Sequence, residues 1–480
     1  MTGRPLNVLL IETDQHARFV AGCYGHREVS TPNIDALASR GTIFDAGYCA
    51  SPICIPSRAS MATGLHVHEI GYWDTNKPYD GRVRSWMHEL RSGGATVVAI
   101  GKLHYRSTED DVGFEQINPM HAYEKTSNPY YLVREPSVTA SDRRKNITGA
   151  GPGKSDYVEF DKTNTRIACE WIASRAKGDA PWALQVGFVS PHPPLRPPLE
   201  YFERYANVNL PTPLLSKPGE RPDHPVLKRL RTYFGVEDLE DPVVIRRATA
   251  AYLALTTFVD DCIGAVLRTL ADSEFAGETL VIYTSDHGDY VGRRGMWGKY
   301  GLHEESVGVP VILSGPGVPA GVRIPEPVSQ VDIYPTVLEA MGMESEAPAG
   351  THSLLKALSR RIPDRAVLAQ YHDAGSLAAS FMLRRGNYKL LYHVGARPEL
   401  YDLSTDPNEE RDLSMSNHHA EVRAELERQL RNILDPEAVD QAAKADQQRR
   451  LDLHGGRSKI LADGLYAYTP VPGKPPEFLG

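Results

Sequence analysis

Residues 250–289 read AAYLALTTFVDDCIGAVLRTLADSEFAGETLVIYTSDHGD. Up to Ser273 the apolar residues recur three and four positions apart, which predicts a long helix facing a core. TLVIYT (279–284) then changes period and becomes a β-rich apolar run, the pattern of a strand buried on both faces. The run stops at SDHGD, where acids and an imidazole follow the last apolar residue. A helix feeding directly into a buried strand predicts a largely parallel sheet with helices on both faces. In such sheets, sites form outside the carboxyl ends of the strands.

The same rhythm runs outward from this stretch. NVLLIET (7–13), ATVVAIG (95–101), WALQVGFVS (182–190) and VPVILSG (309–315) read as strands. NIDALASRG (33–41) reads as a helix, with Pro32 at its start and Gly41 just past its end. Several strands finish on polar residues: TDQ (13–15), GKLH (101–104), SPHPP (190–194) and SDHGD (285–289). These ends should converge on one rim. Stretches 106–165 and 191–242 lack periodicity and read as long loops shaping a pocket. From 364, short strands separated by turn residues predict an antiparallel sheet, and AEVRAELERQLRNIL (420–434) an amphipathic helix. Residues 436–480 start helical and end in a Pro/Gly-rich arm. The expected organisation is an α/β catalytic domain over 1–363, a smaller α+β subdomain over 364–435, and a C-terminal arm over 436–480.

Composition narrows the function. Against 61 acidic residues stand 53 Lys and Arg, a net charge of −8, and no basic run occurs, so a nucleic-acid partner is not expected. No stretch approaches 18 consecutive apolar residues, so no membrane span is expected. The run Val8–Ile11 is too short for a signal sequence. Five irregularly spaced cysteines argue against a disulfide framework and fit a reducing cytoplasm.

Asp14, Asp286 and His287 follow buried strands, and two carboxylates with one imidazole suit a divalent cation. Oxygen ligands favour Ca²⁺, Mn²⁺ or Mg²⁺, and the imidazole tilts the choice toward Mn²⁺. Arg58, Lys102 and Lys299 would make the surroundings positive, an anion-binding site. In CIPSRASMATG (54–64), Pro56 fits the first turn of a helix, which places Cys54 at its N-terminus. The helix dipole there favours negative charge by roughly 0.3–1 kcal/mol, which would stabilise a thiolate or an oxyanion. A thiolate is nevertheless a poor partner for a hard, oxygen-ligated cation. The site asks for an oxygen nucleophile where the sequence supplies sulfur.

Cys54-Ile55-Pro56-Ser57-Arg58 resembles the C-x-P-S-R signature of type I sulfatases in the alkaline phosphatase superfamily, and the resemblance extends from Asn7 to about residue 435. It implies an alkaline-phosphatase-like sheet. It also implies a formylglycine made from Cys54 by a formylglycine-generating maturation enzyme, whose hydrate is the nucleophile. Asp14, Asp286, His287 and residue 54 would then hold one metal ion. Arg58 would hold the hydrate and the helix start. Lys102 and His104 match the family's G-K-x-H element, with Lys102 on sulfate and His104 on the diol. His192 and Lys299 match groups that bind sulfate and protonate the leaving oxygen. Asn76 falls where related enzymes contact substrate, with Thr75 a competing alignment.

Asp14-Gln15 and Asp286-His287 depart from the common arylsulfatase pattern and resemble choline sulfatases and phosphonate monoester hydrolases. GKLH and the long tail resemble the choline sulfatase branch, whose tail builds oligomers, here a homodimer or homotetramer. The expected substrate is a small-molecule sulfate ester. The alternatives are a phosphonate monoester or phosphodiester hydrolase of the same fold, and a silent metal-binding protein with unmodified Cys54. Gln15 and Tyr105 are candidates for the pocket lining, Trp73 reads as core, and His66 and His68 read as structural. His303, close to Lys299, is a candidate for a direct role.

Overall fold

A computed structural model describes residues 5–122, 129–140, 142–343, 347–359, 364–466, 468–475 and 478–479. Strand β1 (Asn7–Asp14) is buried at every position, because neighbours and helices cover both of its faces. It lies inside an eight-stranded sheet with β2 (Thr42–Phe44), β3 (Thr96–Lys102), β4 (Glu115–Met120), β5 (Trp182–Pro191), β6 (Thr279–Ser285), β7 (Val311–Ser314) and β8 (Val322–Ile324). The spatial order is β4-β3-β5-β1-β6-β7-β2-β8. β7 runs antiparallel to β6 and β2, and the other pairings are parallel.

Register brings the strand ends together. Thr13 pairs with Ser285, Asp14 with Pro191, and Gly101 with Gly187. The last pair permits a close approach: Gly101 sits at φ +90°, and a Cβ on Gly187 would lie 2.1 Å from the Lys102 carbonyl oxygen. The polar ends of β1, β3, β5 and β6 therefore share one rim, as expected.

Helices α1 (Pro32–Ser39), α3 (Asp156–Ala173), α4 (Leu199–Ala206) and α5 (Pro242–Ala271) pack together on one side, while α2 (Cys54–Thr63) and α6 (Ile333–Ala340) pack on the other. α5 begins where Asp241 accepts from the Val243 amide at 2.9 Å, with Pro242 at the first helical position. By length and composition α5 is apolar enough to cross a membrane. Its most apolar window is 83% buried inside the protein, which marks a core helix.

The two stretches expected as loops carry structure. The first holds the edge strand β4 and the start of α3, and the second holds α4 and a helix at Pro225–Tyr233. β4 reads EQINPM; its exposed and half-buried positions and its Pro119 suit an edge, where one face of the ladder needs no donor. The intervening residues 123–128 lie outside the described residues.

Strands β9 (Val367–Tyr371), β10 (Ser380–Arg385), β11 (Tyr388–His393) and β12 (Glu399–Asp402) form the antiparallel sheet, and α7 (Ala420–Ile433) packs on it. The domain boundary expected at 363 lies outside the described residues. Buried Lys389 joins this sheet to the catalytic body, 2.8 Å from Glu304 and 2.7 Å from Glu409. Lys389→Ala leaves buried Glu409 and half-buried Glu304 short of a cation, and denaturant melts should show a loss of about 3–5 kcal/mol.

α8 (Pro436–Leu453) returns to the catalytic body, where Arg450 grips Asp74 at 2.8 and 2.6 Å. Further on, Tyr468 packs with Tyr157 and Val189, and Tyr157 donates to the Thr469 carbonyl at 2.6 Å. The arm thus lies on its own chain across the described residues.

Candidate active site

α2 begins at Cys54, follows extended Ile53, and ends at Gly64 in the left-handed region, φ +70°. Pro56 sits in the first turn, where a missing N–H costs no intrahelical bond. Every residue of α2 is buried, Arg58 included. The guanidinium of Arg58 is a four-way clamp. Nε donates to Asp286 Oδ2 at 2.9 Å, Nη2 to Asp14 Oδ2 at 3.3 Å, and Nη1 to the Lys102 carbonyl at 3.0 Å. Nη1 also stands 3.1 Å from Glu12 Oε2. A planar fork reaches several acceptors at once, which an ammonium cannot do.

Around Cys54 the predicted residues converge. Its Sγ lies 3.2 Å from His287 Nε2 and 3.8 Å from Asp14 Oδ1, and Lys299 Nζ donates to it at 2.6 Å. Lys299 also lies 3.1 Å from His287 Nε2, and Lys102 Nζ lies 2.5 Å from Asp14 Oδ2. One ligand atom from each of Asp14, Cys54, Asp286 and His287 falls within 4.8 Å of the others, all of them buried. His287 Nδ1 is 3.0 Å from the Gly288 carbonyl, so Nδ1–H donates there and Nε2 presents its lone pair to the cluster. Burial and Lys299 hold that imidazole well below its usual range, hence neutral. Two carboxylates and a neutral imidazole fit a divalent cation.

The charges inside the cluster are uneven. Burial works against the Asp14 carboxylate, yet Lys102, with Lys299 and Arg58 behind it, brings it well below the usual range. Burial and Asp14 push Asp286 up to about 8. A cation bound by both acids must therefore displace a proton at neutral pH. Its affinity should weaken about tenfold per unit as pH falls below about 8, where Asp286 holds its proton more firmly. Calorimetric titration of the metal-stripped protein at several pH values checks this.

Burial, with Asp14 beside it, pushes the Cys54 thiol up to about 12. The helix N-terminus does not deliver the stabilised thiolate that the sequence suggested, because desolvation and the nearby carboxylate outweigh the dipole. As a thiol, this group is a weak nucleophile in a setting built for an oxygen.

His104, at φ +56°, is buried, and neither of its ring nitrogens has a hydrogen-bond partner. Burial first, then Lys102, holds it well below its usual range. A neutral imidazole with both nitrogens unsatisfied is placed to take a proton. His192 is half-buried at the end of β5, with its ring centroid 6.0 Å from Tyr157 and 6.2 Å from Tyr468. Burial and Lys102 hold it, too, well below its usual range.

Asn76 lies apart from these contacts: its amide N–H donates to Asp74 at 2.9 Å, and its side-chain oxygen accepts from Arg450 at 3.3 Å. Thr75 is held by Asp373. Trp73 is buried edge-on to His372, and Tyr105 is buried as well. The rings of His66 and His68 stack on each other. His303 turns toward Tyr290 and Glu399.

Several supporting residues escaped the sequence reading. Glu12 braces Arg58 and accepts from Gln185 at 2.9 Å. The period of two in IETD was the available signal, since Glu12 shares a strand face with Asp14. Gln330 takes a bond from Ser57 at 2.8 Å and donates to the Ser285 carbonyl. Asp289 holds Gln15 Nε2 at 2.5 Å, and the Gln15 amide donates to Asp286 at 3.0 Å.

Fold and site together define a hydrolase of the alkaline phosphatase superfamily. A family model described as Sulfatase matches residues 6–343, and one described as N-sulphoglucosamine sulphohydrolase, C-terminal, matches 292–435. The chain belongs to the sulfatase family and is a sulfuric ester hydrolase of type I. Among curated relatives it is 29% identical to arylsulfatase K of Danio rerio, covering 91% of this chain and 85% of that one. It is 28% identical to the choline-sulfatase of Rhizobium meliloti (strain 1021), covering 97% and 93%. The phosphonate monoester hydrolase of Agrobacterium radiobacter shares the fold with a TM-score of 0.72 at 24% identity, over 89% of this chain and 95% of that one. A further structure, in complex with its substrate D-glucosamine-2-N,6-O-disulfate, gives a TM-score of 0.72 at 21% identity, over 93% and 99%.

Proposed function

We propose that this enzyme hydrolyses sulfate monoesters of small molecules at a formylglycine derived from Cys54, with one divalent metal, Ca²⁺ or Mn²⁺ ahead of Mg²⁺. The observation that carries the reading is the position of Cys54 Sγ, a thiol pushed up to about 12 amid two carboxylates, an imidazole and two lysines. Sulfur is the wrong atom there and oxygen the right one.

Asp14, Asp286, His287 and the residue-54 side chain would hold the metal, which when bound acidifies an oxygen on residue 54 and draws charge from the sulfate. A formylglycine hydrate supplies two hydroxyls, one to attack sulfur and one to expel sulfate without a second attack. The chain's own groups do the rest. Arg58 fixes Asp14 and Asp286 in place. Lys102 and Lys299 are fixed positive charges facing the sulfate oxygens, stabilisation that costs no reorganisation during the reaction. His104 accepts a proton on a free ring nitrogen. His192 or Lys299 protonates the departing alcohol; the negative sulfate ester offsets the lysines that depress His192.

Two measurements test the proposal. The mass of the peptide spanning residue 54, from protein matured in a competent host, should show the aldehyde or its hydrate. A thiol together with no turnover would favour a silent metal-binding protein. A panel of choline sulfate, nitrophenyl sulfate and an aryl phosphonate should give the higher kcat/KM with a sulfate; a clear preference for phosphonate would move the chain to the phosphonate monoester hydrolases.

A further inference from the structure

A second cluster of ligating side chains lies away from Cys54, where the antiparallel sheet meets the catalytic body. Glu399 opens β12 and His393 closes β11, so a tight connection puts them side by side. His224, ahead of the helix Pro225–Tyr233, and His303, ahead of the turn Glu304–Val307, come from the catalytic body. His393 Nε2 lies 3.1 Å from Glu399 Oε1, and His224 Nδ1 lies 3.6 Å from the same oxygen. His303 Nε2 lies 3.5 Å from Glu399 Oε2. All four residues are 5% exposed or less.

The outer atoms fix how these rings face. His224 Nε2 is 3.0 Å from the Arg397 carbonyl, which can only accept, so the proton is on Nε2 and the Nδ1 lone pair points inward. That Nδ1 makes no hydrogen bond, and its 3.6 Å spacing to the carboxylate is too long for one. A lone pair facing a carboxylate in a dry pocket is repulsive unless a cation stands between them. The other outer contacts are His393 Nδ1 to Ser380 Oγ at 2.8 Å, His303 Nδ1 to the Tyr290 hydroxyl at 3.2 Å, and the Tyr401 hydroxyl donating to Glu399 Oε2 at 2.7 Å. Imidazoles anchored through the far nitrogen, and a carboxylate anchored through its second oxygen, are the supports that metal ligands use.

We propose that His224 Nδ1, His393 Nε2 and Glu399 Oε1 bind one zinc ion, whose fourth position is left to water. Tetrahedral zinc bonded at 2.0–2.1 Å separates its ligand atoms by about 3.3 Å, and the two spacings to Glu399 Oε1 bracket that value. The nitrogen-rich donor set separates this site from the carboxylate-rich one at Asp14, so the two would take different ions. Its function is structural: the ion ties the C-terminal sheet to the catalytic body.

The test uses the full-length protein, stripped by chelation and titrated with zinc alone, and with cobalt for its tetrahedral absorption bands. Asp286→Asn, which disables the other site, should still bind one zinc per chain and show those bands, and zinc should raise its Tm. His224→Ala and His393→Ala should each lower zinc affinity at least about a hundredfold while still binding manganese. The proposal falls if Asp286→Asn binds no zinc, or if both histidine variants bind it as wild type does. Should the histidine variants fail to fold, the stoichiometry and spectrum of Asp286→Asn decide alone.

Discussion

Replacing Cys54 with Ser should abolish multiple turnover, with a loss of kcat of about 10³-fold or more, the scale seen when a nucleophile is removed. The fold should survive, because Ser nearly matches Cys in shape at the first position of α2. A serine hydroxyl can attack sulfur once but has no second hydroxyl to expel sulfate. The variant should therefore collect a covalent sulfate, readable as a mass shift on the peptide spanning residue 54. Sustained turnover by Cys54→Ser would remove the formylglycine from the mechanism.

Arg58→Lys should be nearly as damaging. The guanidinium touches Glu12, Asp14, Asp286 and the Lys102 carbonyl together, and an ammonium at that depth satisfies only part of this set. Activity should drop by about 10²-fold or more, since misplacing the reacting groups by an ångström costs that much. Arg58→Ala goes further: three buried carboxylates lose their clamp, and stability should fall by about 3–5 kcal/mol. Circular dichroism melts of both variants separate the two effects. A stable, active Arg58→Lys would show that charge alone suffices there.

The rim of the sheet was legible because β1, β3, β5 and β6 each end an apolar run on polar residues, and a parallel sheet must put those ends on one edge. Cys54 was legible from its neighbours, since a helix-starting Pro56 and Arg58 are local signals. Glu12 was not, because a single acid inside NVLLIETD reads as a blemish in a buried strand until Arg58 arrives from another element. The edge strand at Glu115–Met120 and helix α3 were missed for a related reason. EQINPM faces solvent on much of its length, and DYVEFDKTNTRIACEWIA dilutes its apolar stripe with Asp, Lys, Thr and Asn. The cluster at 224, 303, 393 and 399 offers no motif at all. Its members meet only because β11, β12 and two turns are folded against each other.

The burial of Cys54 imposes an order of events on synthesis. At 5% exposed, beneath Lys299 and His287, it is closed to any modifying enzyme once the sheet has formed. The oxidation proposed for it therefore belongs to the nascent chain, before β6 has laid Asp286 and His287 against α2. Chemistry at residue 54 thus comes early, and a chain that folds before it would keep an inert thiol.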